Sequence, residues 1–186
     1  MANNPELVSV GKPKTTGAIY RAPSGTALPN DADTNLASTY VCLGYISEDG
    51  VENDKSIDTD IKKAWGGDPV IVTQNGATDD YTFTMIESLN TEAMKTYYGD
   101  GNVAGTLSTG ITISADNSDL GEHVFVIEQI LRSGVFQRTV IPRGKVTNRE
   151  SITYNDTDII GYGVTVTALQ DASGKTSYTY IKGAGE

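Results

Sequence analysis

The sequence predicts a mainly β fold: an antiparallel β-sandwich or partly open barrel with one flanking α-helix, an extended N-terminal arm and a long inter-strand loop. Three observations predict it. Apolar and polar residues alternate with period two at 81–85 and 162–168. A nearly continuous apolar run with β-branched members fills 124–131 between Gly121 and Gly134. Only residues 91–97 carry helical punctuation. Period two places successive side chains on opposite faces of a strand, and about seven such strands with one helix suit an antiparallel sandwich.

Residues 1–37 hold Pro5, Pro13, Pro23 and Pro29, four of the six prolines, and few apolar clusters. Proline fixes φ and removes a donor, so this segment reads as an extended arm that needs partners, with room for a short edge strand at 17–21. Residues 38–186 then form one domain, since 186 residues suit one buried core better than two. A strand at 41–46 breaks at Ser47, Glu48, Asp49 and Gly50 into a long acidic loop over 47–74, with a turn at 64–69 and a returning strand at 81–90. Tyr81, Phe83 and Met85 share one face of that strand.

Asn90 caps the expected helix, Glu92 lies in its first turn where the dipole favours a carboxylate, and Gly99 and Gly101 end it. Ala93, Met94 and Tyr97 share a face that covers a sheet edge or rim. The 124–131 run fits a buried strand or a short helix, and the flanking glycines favour the strand, with 135–142 as its hairpin partner across Ser133 and Gly134. Segments 144–154, 158–168 and 176–182 supply the remaining strands, with Tyr162, Val164, Val166 and Ala168 on one face.

Composition narrows the function. A formal charge of −10 opposes a general nucleic-acid grip, which needs Lys and Arg to replace phosphate counterions. The single Cys42 between Val41 and Leu43 reads as an inert thiol in or near the core, in keeping with a reducing cytoplasm. The first residues lack the pattern of a signal peptide, and no apolar run approaches the ~20 residues of a membrane span, so secretion and membrane anchoring are disfavoured.

Catalytic and cofactor patterns fail on their own templates. Asp54, Ser56 and Asp58 have the spacing of three calcium ligands, but Thr59 stands where the loop needs Gly and Trp65 where it needs a bidentate Glu. Gly174, Lys175 and Thr176 imitate the end of a phosphate loop, yet Leu169 occupies the first Gly position. Gly99, Gly101 and Gly105 follow a helix where a dinucleotide fingerprint precedes one. His123, the only histidine, sits at a strand start as a rim residue. No catalytic, cofactor-binding or metal residue is assigned, and an enzyme is not expected.

Charge is segregated instead. Glu48, Asp49, Glu52, Asp54, Asp58 and Asp60 face one cation, Lys55, within 47–60, whereas Arg132, Arg138, Arg143, Lys145 and Arg149 meet no carboxylate within 132–149. Trp65, the only tryptophan, stands beside Gly66 and Gly67 in a polar segment, either as an anchor for a neighbour's pocket or packed under its own loop.

The order of these segments, with Gly17-Ala18-Ile19-Tyr20-Arg21-Ala22-Pro23 early, Tyr98-Gly99-Asp100-Gly101-Asn102-Val103 in the middle and Val140-Ile141-Pro142-Arg143-Gly144-Lys145-Val146-Thr147 late, resembles the major tail tube protein of long-tailed bacteriophages. The resemblance implies a virion protein whose copies form hexameric rings stacked head to tail into a tube that conducts DNA without specific binding. It implies assembly in the bacterial cytoplasm, with tape-measure, tail-terminator and tail-tip proteins as partners. The 47–74 loop and the 1–37 arm would reach neighbouring subunits. The acidic residues with Trp65 and the basic residues would be complementary contacts, so that assembly slows as salt screens them. Two alternatives stay open: a contractile-injection or type VI secretion tube, and a carbohydrate- or receptor-binding sandwich displaying aromatics such as Tyr178 and Tyr180.

Overall fold

The computed structural model describes residues 3–183; the first two residues of the expected arm and the last three of the expected domain lie outside them. In chain order the elements are β1 (Lys12–Pro13), β2 (Ile19–Pro23), β3 (Val41–Cys42), β4 (Ile46–Lys63), β5 (Pro69–Met85), α1 (Thr91–Tyr98), β6 (Val103–Thr106), β7 (Gly110–Ile113), β8 (Glu122–Ile130), β9 (Phe136–Arg149), β10 (Tyr162–Ala168) and β11 (Tyr178–Lys182). The main sheet has nine antiparallel strands in the order β3-β2-β8-β9-β10-β5-β4, with β1 added to β8 and β11 to β9, while β6 and β7 form a separate hairpin. The fold is mainly β, consistent with a β-sandwich and without a closed barrel.

Strand β9 makes the corner. Its first part pairs with β11 and its last part with β10, both on the side away from β8. Pro142 falls between the two registers, where no ladder partner requires its missing N–H. The bend brings Phe125, Ile127 and Ile141 into one core with Tyr81, Phe83, Met85, Val164, Val166 and Ala168. The period-two strands at 81–85 and 162–168 therefore bury the face their alternation predicts.

From Val124 to Ile127 strand β8 is apolar on both faces because both its sides are covered. Phe125 and Ile127 point into the main core, while Val124 and Val126 join Ala22, Tyr40 and Val140 in a second cluster under Tyr20, Leu36, Tyr178 and Tyr180. This double burial explains the continuous apolar run.

Helix α1 closes the main core. The Asn90 Oδ1 accepts the Glu92 N–H at 2.9 Å, Ala93 and Met94 are buried, and Gly99 ends the helix at φ 107°. Tyr97 and Tyr98 pack against Tyr162 with ring centroids 5.4 and 6.0 Å away.

Several expectations are corrected. Much of the 1–37 segment is integral to the body: Ile19 is fully buried, β2 lies inside the sheet rather than at its edge, and Ala32 is buried. The strand expected at 41–46 is interrupted at Gly44, which adopts φ 83°, and the returning strand ends at Met85 instead of Asn90. Residues 144–149 continue β9, and 150–161 are irregular. The largest change concerns 47–74, which is no loop. Strands β4 and β5 form a hairpin of 18 and 17 residues whose outer part leaves the body.

Candidate assembly surfaces

The β4–β5 hairpin is amphipathic, and a bulge makes it so. Val51, Asn53, Lys55 and Ile57 pair with Phe83, Tyr81, Asp79 and Ala77, so these odd-numbered residues continue the core face outward. Between the Asp58–Gly76 and Thr59–Gln74 pairs the register shifts, leaving Asn75 as an extra residue on β5. One extra residue reverses which face each later residue of its strand occupies. Val72 consequently shares a face with Ile57 and Ile61, at 64, 64 and 50 % exposure respectively, while Val70, 63 % exposed, is itself the extra residue at a second shift between Lys62 and Lys63. Fully burying such a side chain contributes ~1.5–3 kcal/mol, so roughly 4–6 kcal/mol of transfer free energy goes unused in a single chain.

The opposite face is acidic as far as Asp60, beyond which it carries Lys62 and the exposed Ile71. Glu52, Asp54, Asp58 and Asp60 alternate along β4 with Asp80 across the ladder from Asp54. Glu48 and Asp49 lie nearer the body, in the irregular stretch between the Ile46–Met85 and Val51–Phe83 pairs. Asp54, Ser56 and Asp58 stand on a strand, where alternate residues are ~7 Å apart, a straight row that cannot wrap a cation.

At the far end, Trp65 is wholly exposed on a turn closed by the Ala64 N–H to Asp68 O bond of 2.8 Å, with Gly66 and Gly67 at φ 120° and 101°. It packs under nothing. Every residue from Ile61 to Thr78 is exposed.

Asp79 fixes the hairpin where it leaves the body. This carboxylate, 4 % exposed, accepts from Asn53 Nδ2 at 2.8 Å, Lys55 Nζ at 3.1 Å, Thr176 Oγ1 at 2.6 Å and Ser177 Oγ at 3.3 Å. Burial raises its pKa, but the hydrogen bonds from Thr176, Asn53 and Lys55 outweigh burial and hold it below its ordinary value.

The basic segment does not form a free complementary face. Arg138, expected at an interface, is 1 % exposed: it donates to Glu128 through Nε at 2.9 Å and through Nη2, to Asp31 O at 3.0 Å and to Thr34 O at 2.7 Å. Arg143 forks onto Glu122 at 2.8 and 2.9 Å, and Lys145 meets Asp119 at 2.8 Å. Arg149 donates to Tyr97 O at 3.3 Å over that ring. Arg132 donates from its side chain to Pro5 O at 3.0 Å and from its backbone to Ser9 Oγ at 2.7 Å. These cations hold the chain's own segments together, with Arg132 and Arg138 fastening the N-terminal region. Their partners are distant in sequence, so no local pattern announces them.

Sequence reading also missed a cluster at the helix. Arg21, 7 % exposed, donates to Glu92 at 3.2 Å and Asp100 at 2.7 Å, and Asp100 pairs with His123 Nε2 at 2.9 Å. Burial raises the Asp100 pKa, but Arg21 and His123 bring it below its usual value. The rim histidine thus ties β8 to the turn after α1. Tyr178 and Tyr180 pack on the second core cluster, and the Tyr178 hydroxyl donates to Asp171 at 2.6 Å, so they form no open aromatic platform.

A family model described as phage tail tube protein matches residues 1–184. None of the curated proteins compared matches the chain. Among solved structures, the anti-feeding prophage cap (the tube-terminating cap, determined by cryo-EM) is similar at 12 % identity and a TM-score of 0.46, over 99 % of this chain and 100 % of that one.

Proposed function

Because this chain belongs to the phage tail tube protein family, and so is a structural protein of the virion tail, we propose that it polymerises into hexameric rings stacked head to tail. The stack is the conduit for DNA ejection, built in the host cytoplasm in contact with tape-measure, tail-terminator and tail-tip proteins. The observation that carries this reading is the protruding hairpin with Ile57, Ile61 and Val72 exposed on one face. Beyond Thr78 no described residue of its own chain buries that face, and an isolated two-stranded ribbon is marginal in water. A neighbouring copy supplies the missing surface. The acidic face of the same hairpin stays solvated, and a carboxylate-lined wall repels phosphate, as a passage for DNA requires.

Negative-stain electron microscopy of the purified protein, at rising concentration and at low and high salt, tests the proposal. Hollow tubes of uniform width or stacked rings are expected. Monomers at every concentration, persisting after addition of tail-tip components, would overturn it.

A further inference from the structure

We propose that the Trp65 turn of one copy docks in a groove at the root of the hairpin of the next copy; this deepens the self-assembly reading and rests on it. The groove, about 870 Å³, lies between residues 11–18 and the first residues of β4, and Cys42, Ile46, Glu48, Asp49 and Glu87 line it. That volume is in the range that accepts a bulky aromatic group with its neighbours.

Charge selects this groove. Glu48, Asp49 and Glu87 have no ion-pair partner among the described residues. Of the two lysines on its wall, Lys14 is already paired with Glu128 at 3.3 Å, which leaves Lys12 as the local counter-charge. The hairpin end offers the complement. It carries Lys62 and Lys63 between Asp60 and Asp68; Lys62 is paired with Asp60, while Lys63 and, across the turn, Asp68 have no ion-pair partner among the described residues, so Lys63 is the cation the tip can offer. Trp65 supplies the apolar body and Lys63 the charge, two positions away.

Topology selects a second copy as the occupant. Tip and groove sit at opposite ends of one β4 strand, roughly 45 Å apart for the 14 residues from Val51 to Trp65 at strand rise, so a chain cannot fill its own groove. The surfaces are different, so the contact is heterologous and repeats from copy to copy, closing a ring or extending a stack.

The native Cys42 on the groove wall permits a direct test. Ala64→Cys puts a second thiol on the turn while keeping Trp65, and a short bis-maleimide is added to the assembled protein. A ladder of cross-linked multimers on a denaturing gel is expected, and its loss in the Ala64→Cys/Cys42→Ser double variant. Tubes that form normally but give no ladder would overturn the groove assignment while leaving self-assembly intact; wild-type protein that never polymerises would sink the parent reading instead. Should Ala64→Cys itself fail to polymerise, charge reversal decides. Lys63→Glu is expected to raise the concentration needed for assembly about tenfold, and adding Asp49→Lys to recover most of that loss. No recovery would place the tip elsewhere.

Discussion

Arg138 and Trp65 mark the two extremes of what a single residue does in this chain. Arg138 sits under residues 31–34 with its guanidinium shared between the buried Glu128 and backbone carbonyls of Asp31 and Thr34. Removing one partner of such a pair strands the other's charge in a poorly solvated site, and Arg138→Ala is expected to lower stability by about 3–5 kcal/mol in urea unfolding of the monomer. A loss below about 1 kcal/mol would mean that the 31–34 segment is held by its apolar contacts alone. Trp65 has no contact to lose in the monomer, since its side chain is wholly exposed. Trp65→Ala should therefore leave the thermal melt of the monomer within about 0.5 kcal/mol of wild type while abolishing polymer in sedimentation. A collapsed melt would show instead that Trp65 packs on its own hairpin. Trp65 was legible as an interface candidate because a tryptophan on a Gly-Gly turn is out of place in a monomer. The burial of Arg138 was not legible, because its partners lie 10, 104 and 107 residues away.

The hairpin works as an element through one inserted residue and one buried carboxylate. Deleting Asn75 removes the shift between Asp58 and Thr59 and turns Val72 toward the face of Asp58 and Asp60. The deletion lies in an exposed ribbon, so the melt of the body should hardly change while light scattering reports no polymer; tubes from the deletion variant would show that the apolar face is dispensable. Asp79 gives the element a pH dependence. Its folded-state pKa is depressed, so its contribution is present above the unfolded value and is lost as pH falls through the folded one. Below about pH 4 the hairpin should loosen at its base, seen as faster amide exchange at 53–55 and 79–81, and Asp79→Asn should remove that acid transition. The body strands were legible because burial of one face imposes period two. The hairpin was not, because outside the body no core enforces alternation and the bulge at Asn75 reverses the pattern midway. Ile57 and Ile61 then stand out among polar neighbours with no period to join them to Val72. The turn at its end and the acidic run along it could still be placed, but not the strands connecting them.

At the scale of the whole molecule, the net charge of −10 sets how copies approach. The sequence alone suggests that an acidic segment on one copy attracts a basic segment on the next, and hence that salt slows assembly. In the folded chain Arg138, Arg143 and Lys145 are neutralised by Glu128, Glu122 and Asp119. At distances beyond the contact itself, each copy presents excess negative charge to the other. Repulsion of this kind is screened over ~10 Å at 0.1 M salt, whereas the short-range pairing of Lys63 with Glu48 and Asp49 acts only once tip and groove meet. Salt should then speed encounter more than it weakens the final contact. The initial rate of light-scattering growth is expected to rise between about 0.01 and 0.15 M salt, opposite to the trend read from segregated charge. The Lys63→Glu variant should show a steeper rise, because it adds repulsion at the tip. A wild-type rate that falls across this range would mean that attraction between oppositely charged faces governs the approach of copies, and that the exposed cations Arg132, Arg143 and Arg149 take part in it despite their bonds within the chain.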